Sequence, residues 1–137
     1  PGRKFLVAGK GGFNLTHAED LGRLVQRYTP APFFEEILHA FSNSDLQRWL
    51  LDIGIPTYTG TSQRVFPVKG VKPVQVLNAV LDRLKANGVE LRTHHRWTGF
   101  SKDGSLLFET PAGLCKVQAD IVVFALGGAS WPVTGAN

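Results

Sequence analysis

The sequence predicts an α/β domain, and three observations point to it. The helical stripe of Pro73 to Asn87 is followed by Gly88 and the alternating Val89-Glu90-Leu91-Arg92-Thr93, which reads as the returning half of a βαβ unit. Ile121-Val122-Val123-Phe124-Ala125-Leu126 is continuously apolar, the pattern of a strand buried on both faces of a parallel sheet. Phe5 to Ala8 is a short apolar run entering a loop at Gly9, Gly11 and Gly12.

Each element follows in order. Phe5 to Ala8 is expected as a strand that ends in the glycine loop. Phe34, Ile37, Leu38 and Phe41 fall at helical spacing, with Pro32 tolerated at the helix start. Ser42-Asn43-Ser44 breaks that helix. A second helix starts at Ser44 as N-cap, carries Leu46, Trp49, Leu50 and Ile53, and stops at Gly54 before Pro56. The two form a helical hairpin over about 30–55. Thr57 to Pro67 turns polar and reads as a surface connector, with a short strand at Val65 and Phe66.

The helix from Pro73 presents Leu77, Val80, Leu81 and Leu84 on one face, and Gly88 sits where a left-handed cap is expected. Three short segments then alternate: His95 to Phe100, Ser105 to Thr110 after Asp103-Gly104, and Leu114 to Gln118 after Pro111-Ala112-Gly113. Asp-Gly between alternating runs signals a hairpin, so a three-stranded antiparallel meander is expected. Gly127-Gly128 ends the final apolar strand at the sheet edge where open α/β sheets bind ligands.

Composition narrows the function classes. The 137 residues are 43% hydrophobic and 19% charged, the balance of one soluble domain. No apolar run approaches the roughly 20 residues that span a bilayer, and no basic-then-apolar leader opens the chain. The single cysteine, Cys115, has no internal partner, which suits a reducing, cytoplasmic setting. Net charge is +4, but the basic residues are scattered singly and never form the run that marks a nucleic-acid arm.

Most motifs fall away. Gly9-Lys10-Gly11-Gly12 suits an anion through backbone amides and a lysine, yet it is not a Walker A loop, which needs four residues between its first Gly and the Gly-Lys pair. The G-x-G-x-x-G fingerprint occurs nowhere in the 137 residues. His94 and His95 are adjacent in an expected strand and point to opposite faces, so they do not share a metal. His17, His39 and Cys115 have no partners at zinc spacing. Asn14-Leu15-Thr16 meets the glycosylation rule without a leader to support secretion. No serine lies in a nucleophile elbow. The glycine turn at Gly127-Gly128 is open to two readings, a tight turn or a place of close backbone approach to a ligand.

Four ordered motifs carry a resemblance. Lys4 to His17, with Gly9-Lys10-Gly11-Gly12-Phe13-Asn14-Leu15-Thr16, resembles the glycine-rich segment of the BaiN-like or YhiN-like bacterial FAD-dependent oxidoreductases, and more closely a branch carrying G-K-G-G-x-N-L-T. Gly60 to Pro67, His95 to Phe100 and Ala119 to Pro132 are similar to three further stretches of that group.

The resemblance implies a partial FAD-binding domain of glutathione-reductase type, Rossmann-like, with the helical hairpin and the meander. It implies cofactor contacts from Gly9, Lys10, Gly11, Gly12, Asn14 and Thr16 past the pyrophosphate and flavin. It further implies adenine contacts from the backbone of Arg96 and Trp97, and an approach of Gly127 and Gly128 to the ribityl or flavin region. NAD(P)H is the implied electron donor and a small molecule the implied acceptor. His17 and Arg64 are the candidates for acid or base.

Lys10, Gly12 and Phe13 replace the Gly, Arg and Cys of the broader group, so roles of that Arg and Cys are not inherited. Gln63 replaces the Gly before Arg64, which implies a different bend. The chain opens on Pro1-Gly2, has no Met, and is expected to be the middle of a longer domain whose G-x-G-x-x-G unit lies upstream and whose substrate domain lies downstream. The rival reading is a non-catalytic module that binds a nucleotide or a protein.

Overall fold

A computed structural model describes residues 2–7 and 13–126. They form two units, Gly2–Gly88 and a second from Val89 onward. Among the described residues no helix is long and apolar enough to cross a membrane. The α/β class holds, with helices and antiparallel sheets.

The first unit begins with α1 (Arg3–Val7), where a strand was expected. An apolar run this short fits either state, and here Leu6 N–H bonds to Gly2 O at 3.0 Å, closing a helical turn. Phe5 is directed at the core and meets Phe13 edge-on at 5.8 Å. Then come β1 (Thr16–His17), α2 (Leu21–Val25), α3 (Ala31–Ala40) and α4 (Asn43–Asp52). The expected helical hairpin is α3 and α4, and its helices find different neighbours: α3 lies against α2, and α4 against β1 and β2 (Thr57–Thr59).

The N-cap of α4 is Ser42 and not Ser44. Ser42 Oγ accepts from Asp45 N–H at 3.1 Å, and the Asp45 carboxylate accepts from Ser42 N–H at 2.8 Å, a reciprocal capping box. Asp45 wins over the later serine as an organiser because it satisfies the cap's own N–H. Ser42→Ala is expected to lower stability by about 1 kcal/mol in urea titrations.

Strand β3 (Arg64–Pro67) is central, flanked antiparallel by β1 and β2. Val65, fully buried, sits opposite Thr16 on one side and Thr59 on the other. Helix α5 (Pro73–Ala86) starts on Pro73, with Gln75 Oε1 accepting from Lys72 N–H at 2.8 Å, and ends before Gly88 at φ +76°. Its inward face differs from the expected leucine stripe. Val76 is buried and packs with Leu50 and Ile55, with Ala79 beside it, whereas Leu84 stays exposed. The core lies where α4 and the turn after it end, and that selects the Val76 side.

In the second unit the meander forms as expected: β4 (Arg96–Phe100), β5 (Leu106–Thr110) and β6 (Gly113–Val117), in that spatial order. A bulge at Thr98 interrupts the β4–β5 register, and Gly99 there takes φ +138°. Two expected strands are absent. Residues 89–93 are exposed, unpaired chain in which Arg92 grips Glu90 at 2.7 and 2.8 Å. Residues 121–126 are also unpaired, with Ile121 82% and Val123 81% exposed. Both have strand composition, but strand bonds require a neighbour, and the described residues place none beside them. The parallel sheet inferred from 121–126 is therefore not formed among the described residues.

Candidate functional site

The residues expected to contact cofactor divide between the units. Gly9, Lys10, Gly11, Gly12, Gly127 and Gly128 lie outside the described residues. Asn14 and Thr16 belong to the first unit. Asn14 is exposed, and its side-chain amide makes no hydrogen bond among the described residues. Thr16 is fixed in β1 opposite Val65, with Leu15 N–H bonded to Val65 O at 2.8 Å. Arg96 and Trp97 belong to the second unit, on β4, which is an edge strand. An edge leaves alternate backbone amides and carbonyls without a ladder partner. The Arg96 side chain is spent on Glu109 at 3.2 Å. The Trp97 ring packs on Phe100 and Phe124 at 5.4 and 4.9 Å, and its buried Nε1 has no acceptor.

Each set, taken within its own unit, has donors and acceptors of the kind a group such as FAD takes up. The Asn14 amide in the first unit and the open β4 edge at Arg96 and Trp97 in the second each have hydrogen-bonding capacity that the described residues leave unused. Backbone and neutral polar groups of this kind suit a large heteroaromatic cofactor.

A second constellation was missed by the sequence reading. An open groove of about 600 Å³ is lined by His17, Glu19, Arg23, Gln26, Arg27, Thr61, Ser62 and Gln63. Its floor is built by pairing: β1 lies on β3, and Ala18 N–H continues the contact by bonding Gln63 O at 2.7 Å. His17 sits opposite Arg64 in that register, so the two acid–base candidates share one face of the sheet. Gln63 takes φ +58°, a left-handed conformation natural to glycine. Asn43, buried at the start of α4, donates through Nδ2 to His17 O at 2.6 Å and to Glu19 O at 2.9 Å and so pins the segment between them.

Helix α2 forms the groove's other wall. Asp20 caps it by accepting from Gly22 N–H at 2.9 Å. Leu24 and Val25 are buried, which leaves Arg23, Gln26 and Arg27 on the exposed side. The Glu19 side chain is only 6% exposed. Arg27 Nη2 donates to its Oε2 at 2.8 Å, and Arg27 Nε approaches Oε1 to 2.5 Å, off the line of a hydrogen bond. His17 Nδ1 lies 3.3 Å from the same Oε1 and 3.3 Å from Glu19 N–H. Nδ1 serves one partner at a time. Accepting from Glu19 N–H places the ring proton on Nε2.

The hydrogen bond from Arg27, reinforced by its charge and against the opposing effect of burial, holds the Glu19 carboxyl below its ordinary value of 4.5. A depressed carboxyl contributes stability above that ordinary value and loses it as pH falls through the lower folded one. Wild-type protein is therefore expected to lose urea resistance on going from about pH 6 to about pH 3 more steeply than Glu19→Gln, which lacks the titrating group. Parallel slopes would contradict the assignment.

The signal for this cluster was a carboxylate two residues after His17, followed by Arg23 and Arg27 one helical turn apart. It passes unnoticed because Glu19 and Arg27 are eight residues apart and meet only when the chain reverses into α2.

No curated protein matches the chain. The family model described as the HI0933-like protein Rossmann domain matches residues 1–137, its whole length. The chain therefore belongs to the HI0933-like family of Rossmann-type, FAD-binding domains.

Proposed function

We propose that this chain is the middle part of the FAD-binding domain of an oxidoreductase that takes electrons from NAD(P)H and passes them to a small-molecule acceptor in the cytoplasm. The observation that carries the reading is the family match over residues 1–137. The unused hydrogen-bonding groups at Asn14, Arg96 and Trp97 support it. In this reading the G-x-G-x-x-G unit and the substrate domain belong to further chain, and the strand-like run at 121–126 adds to their sheet.

When bound, FAD supplies hydride transfer at its isoalloxazine ring. The chain's residues position it. Gly9, Lys10, Gly11 and Gly12 offer backbone amides and a cation along the pyrophosphate side. Asn14 and Thr16 offer side-chain hydrogen bonds beyond them. The β4 edge at Arg96 and Trp97 presents backbone donor and acceptor groups to adenine, and Gly127 and Gly128 allow close backbone approach. His17 is the proposed group that holds or delivers a proton to the acceptor, and Arg64, side by side with it on the sheet, is proposed to orient the acceptor through its fixed charge and donors.

The redox half of this reading is tested by mixing flavin-loaded protein with NADH or NADPH without oxygen. Bleaching of the visible flavin band is expected. Flavin that binds and stays oxidised with both nucleotides would contradict electron transfer and favour a binding module, a reading encouraged by the absence of the G-x-G-x-x-G fingerprint from these 137 residues.

A further inference from the structure

We infer that the groove between α2 and the turn at residues 60–63 is a binding site for an oxyanion, the phosphate or carboxylate group of a small molecule other than FAD. The only carboxylate among the lining residues, Glu19, is buried and held by Arg27, whose Nη2 donates to Oε2 and whose Nε lies against Oε1. Arg23 lines the groove and acts on Glu19 only through its charge, and its guanidinium makes no hydrogen bond or contact ion pair among the described residues. Thr61 and Ser62 bring hydroxyls, and Gln26 and Gln63 bring amides, none of them engaged by another described side chain. His17, with Nδ1 accepting from the chain, carries an unengaged Nε2–H.

What remains is almost entirely donor capacity around a net positive charge, and such a set suits an anion. A cation would find its one suitable ligand already taken. Glu19 has a positioning role here. Its hydrogen bond and close ion pair with Arg27 orient a long side chain, and Asn43 holds the segment from which Glu19 and His17 project.

The site does not depend on the flavin reading, and the test separates them. The full chain, labelled with ¹⁵N, is titrated with inorganic phosphate and, separately, with succinate, each against sodium chloride at matched ionic strength. The expected result is a saturable shift of the amides of residues 17–27 and 61–63 that chloride does not reproduce. Affinity is expected to fall about tenfold in Arg23→Ala and severalfold in Ser62→Ala, since charged hydrogen bonds are the stronger ones. Stronger response to phosphate identifies a phosphate ester as the ligand class, and stronger response to succinate a carboxylate. Persistence of the shifts with FAD present supports a separate site.

Shifts that follow ionic strength and appear equally with chloride would overturn the inference, as would affinity unchanged in both variants. Displacement by FAD would overturn the separate site. Arg23 and Ser62 are exposed, so loss of either is not expected to unfold the chain, and Thr61→Val gives a third variant for the same decision.

Discussion

Leu50→Ala is expected to destabilise the first unit by about 2–5 kcal/mol, read as a shift of the urea midpoint. Leu50 is 3% exposed and joins Ile55 and Val76 in the buried cluster, with Trp49, Leu46 and Phe13 around it. Truncation removes apolar contact and leaves a cavity that three different elements border, α4, the turn after it and α5, so no single one can move in to close it. Against a total stability of about 5–15 kcal/mol for a domain, such a loss leaves a substantial fraction unfolded in mild denaturant. The adjacent Leu51 is 62% exposed. Leu51→Ala is expected to stay within about 0.5 kcal/mol. Similar effects at the two positions would mean that α4 is rotated relative to this description.

Asn43→Leu, which keeps the volume and removes both donors, is expected to cost about 1–3 kcal/mol. The larger end applies because Asn43 is buried and serves two carbonyls, the buried Glu19 O and the half-buried His17 O, both of which would lose this donor. The substitution should also loosen the segment that carries His17 and Glu19. Hydrogen exchange at Ala18 and Glu19 is expected to speed up in the variant while exchange in the β4–β5–β6 meander stays unchanged. Equal acceleration in both places would assign the effect to global unfolding rather than to the pin.

Elements whose determinants are local were legible in the sequence. Helix α5 announces itself through Pro73 at its start and Gly88 at its end, and the meander through Asp103-Gly104, where Ser101 N–H and Ser105 O close the turn at 2.8 Å. The misplaced strands share one cause, dependence on a neighbour. The runs expected as strands at Phe5 to Ala8, 89–93 and 121–126 all have compositions that suit a strand, and each would need an adjacent strand to become one. Helix α5 shows the same dependence in its facing, since Val76 and not Leu84 is buried where Leu50 and Ile55 happen to lie.

The site divides in the same way. Asn14, Thr16, Arg96 and Trp97 are proposed from motif resemblance, and the structure adds that the Asn14 amide and the Trp97 indole N–H make no hydrogen bond among the described residues. His17 and Arg64 were single residues in the sequence, and β-pairing sets them side by side. Glu19, Arg27 and Asn43 could not be found by spacing. They are brought together by a chain reversal and by the docking of α4 on β1, both tertiary events.

The central claim is that these residues form part of an FAD site. Its most direct test is titration of FAD into the chain and into a version extended upstream, followed by flavin fluorescence and amide-resolved NMR. The account predicts saturable binding by the extended version, with shifts at Asn14, Thr16, Arg96 and Trp97 and weakened affinity in Asn14→Ala. Flavin fluorescence and amide positions that remain unchanged in both proteins would contradict it.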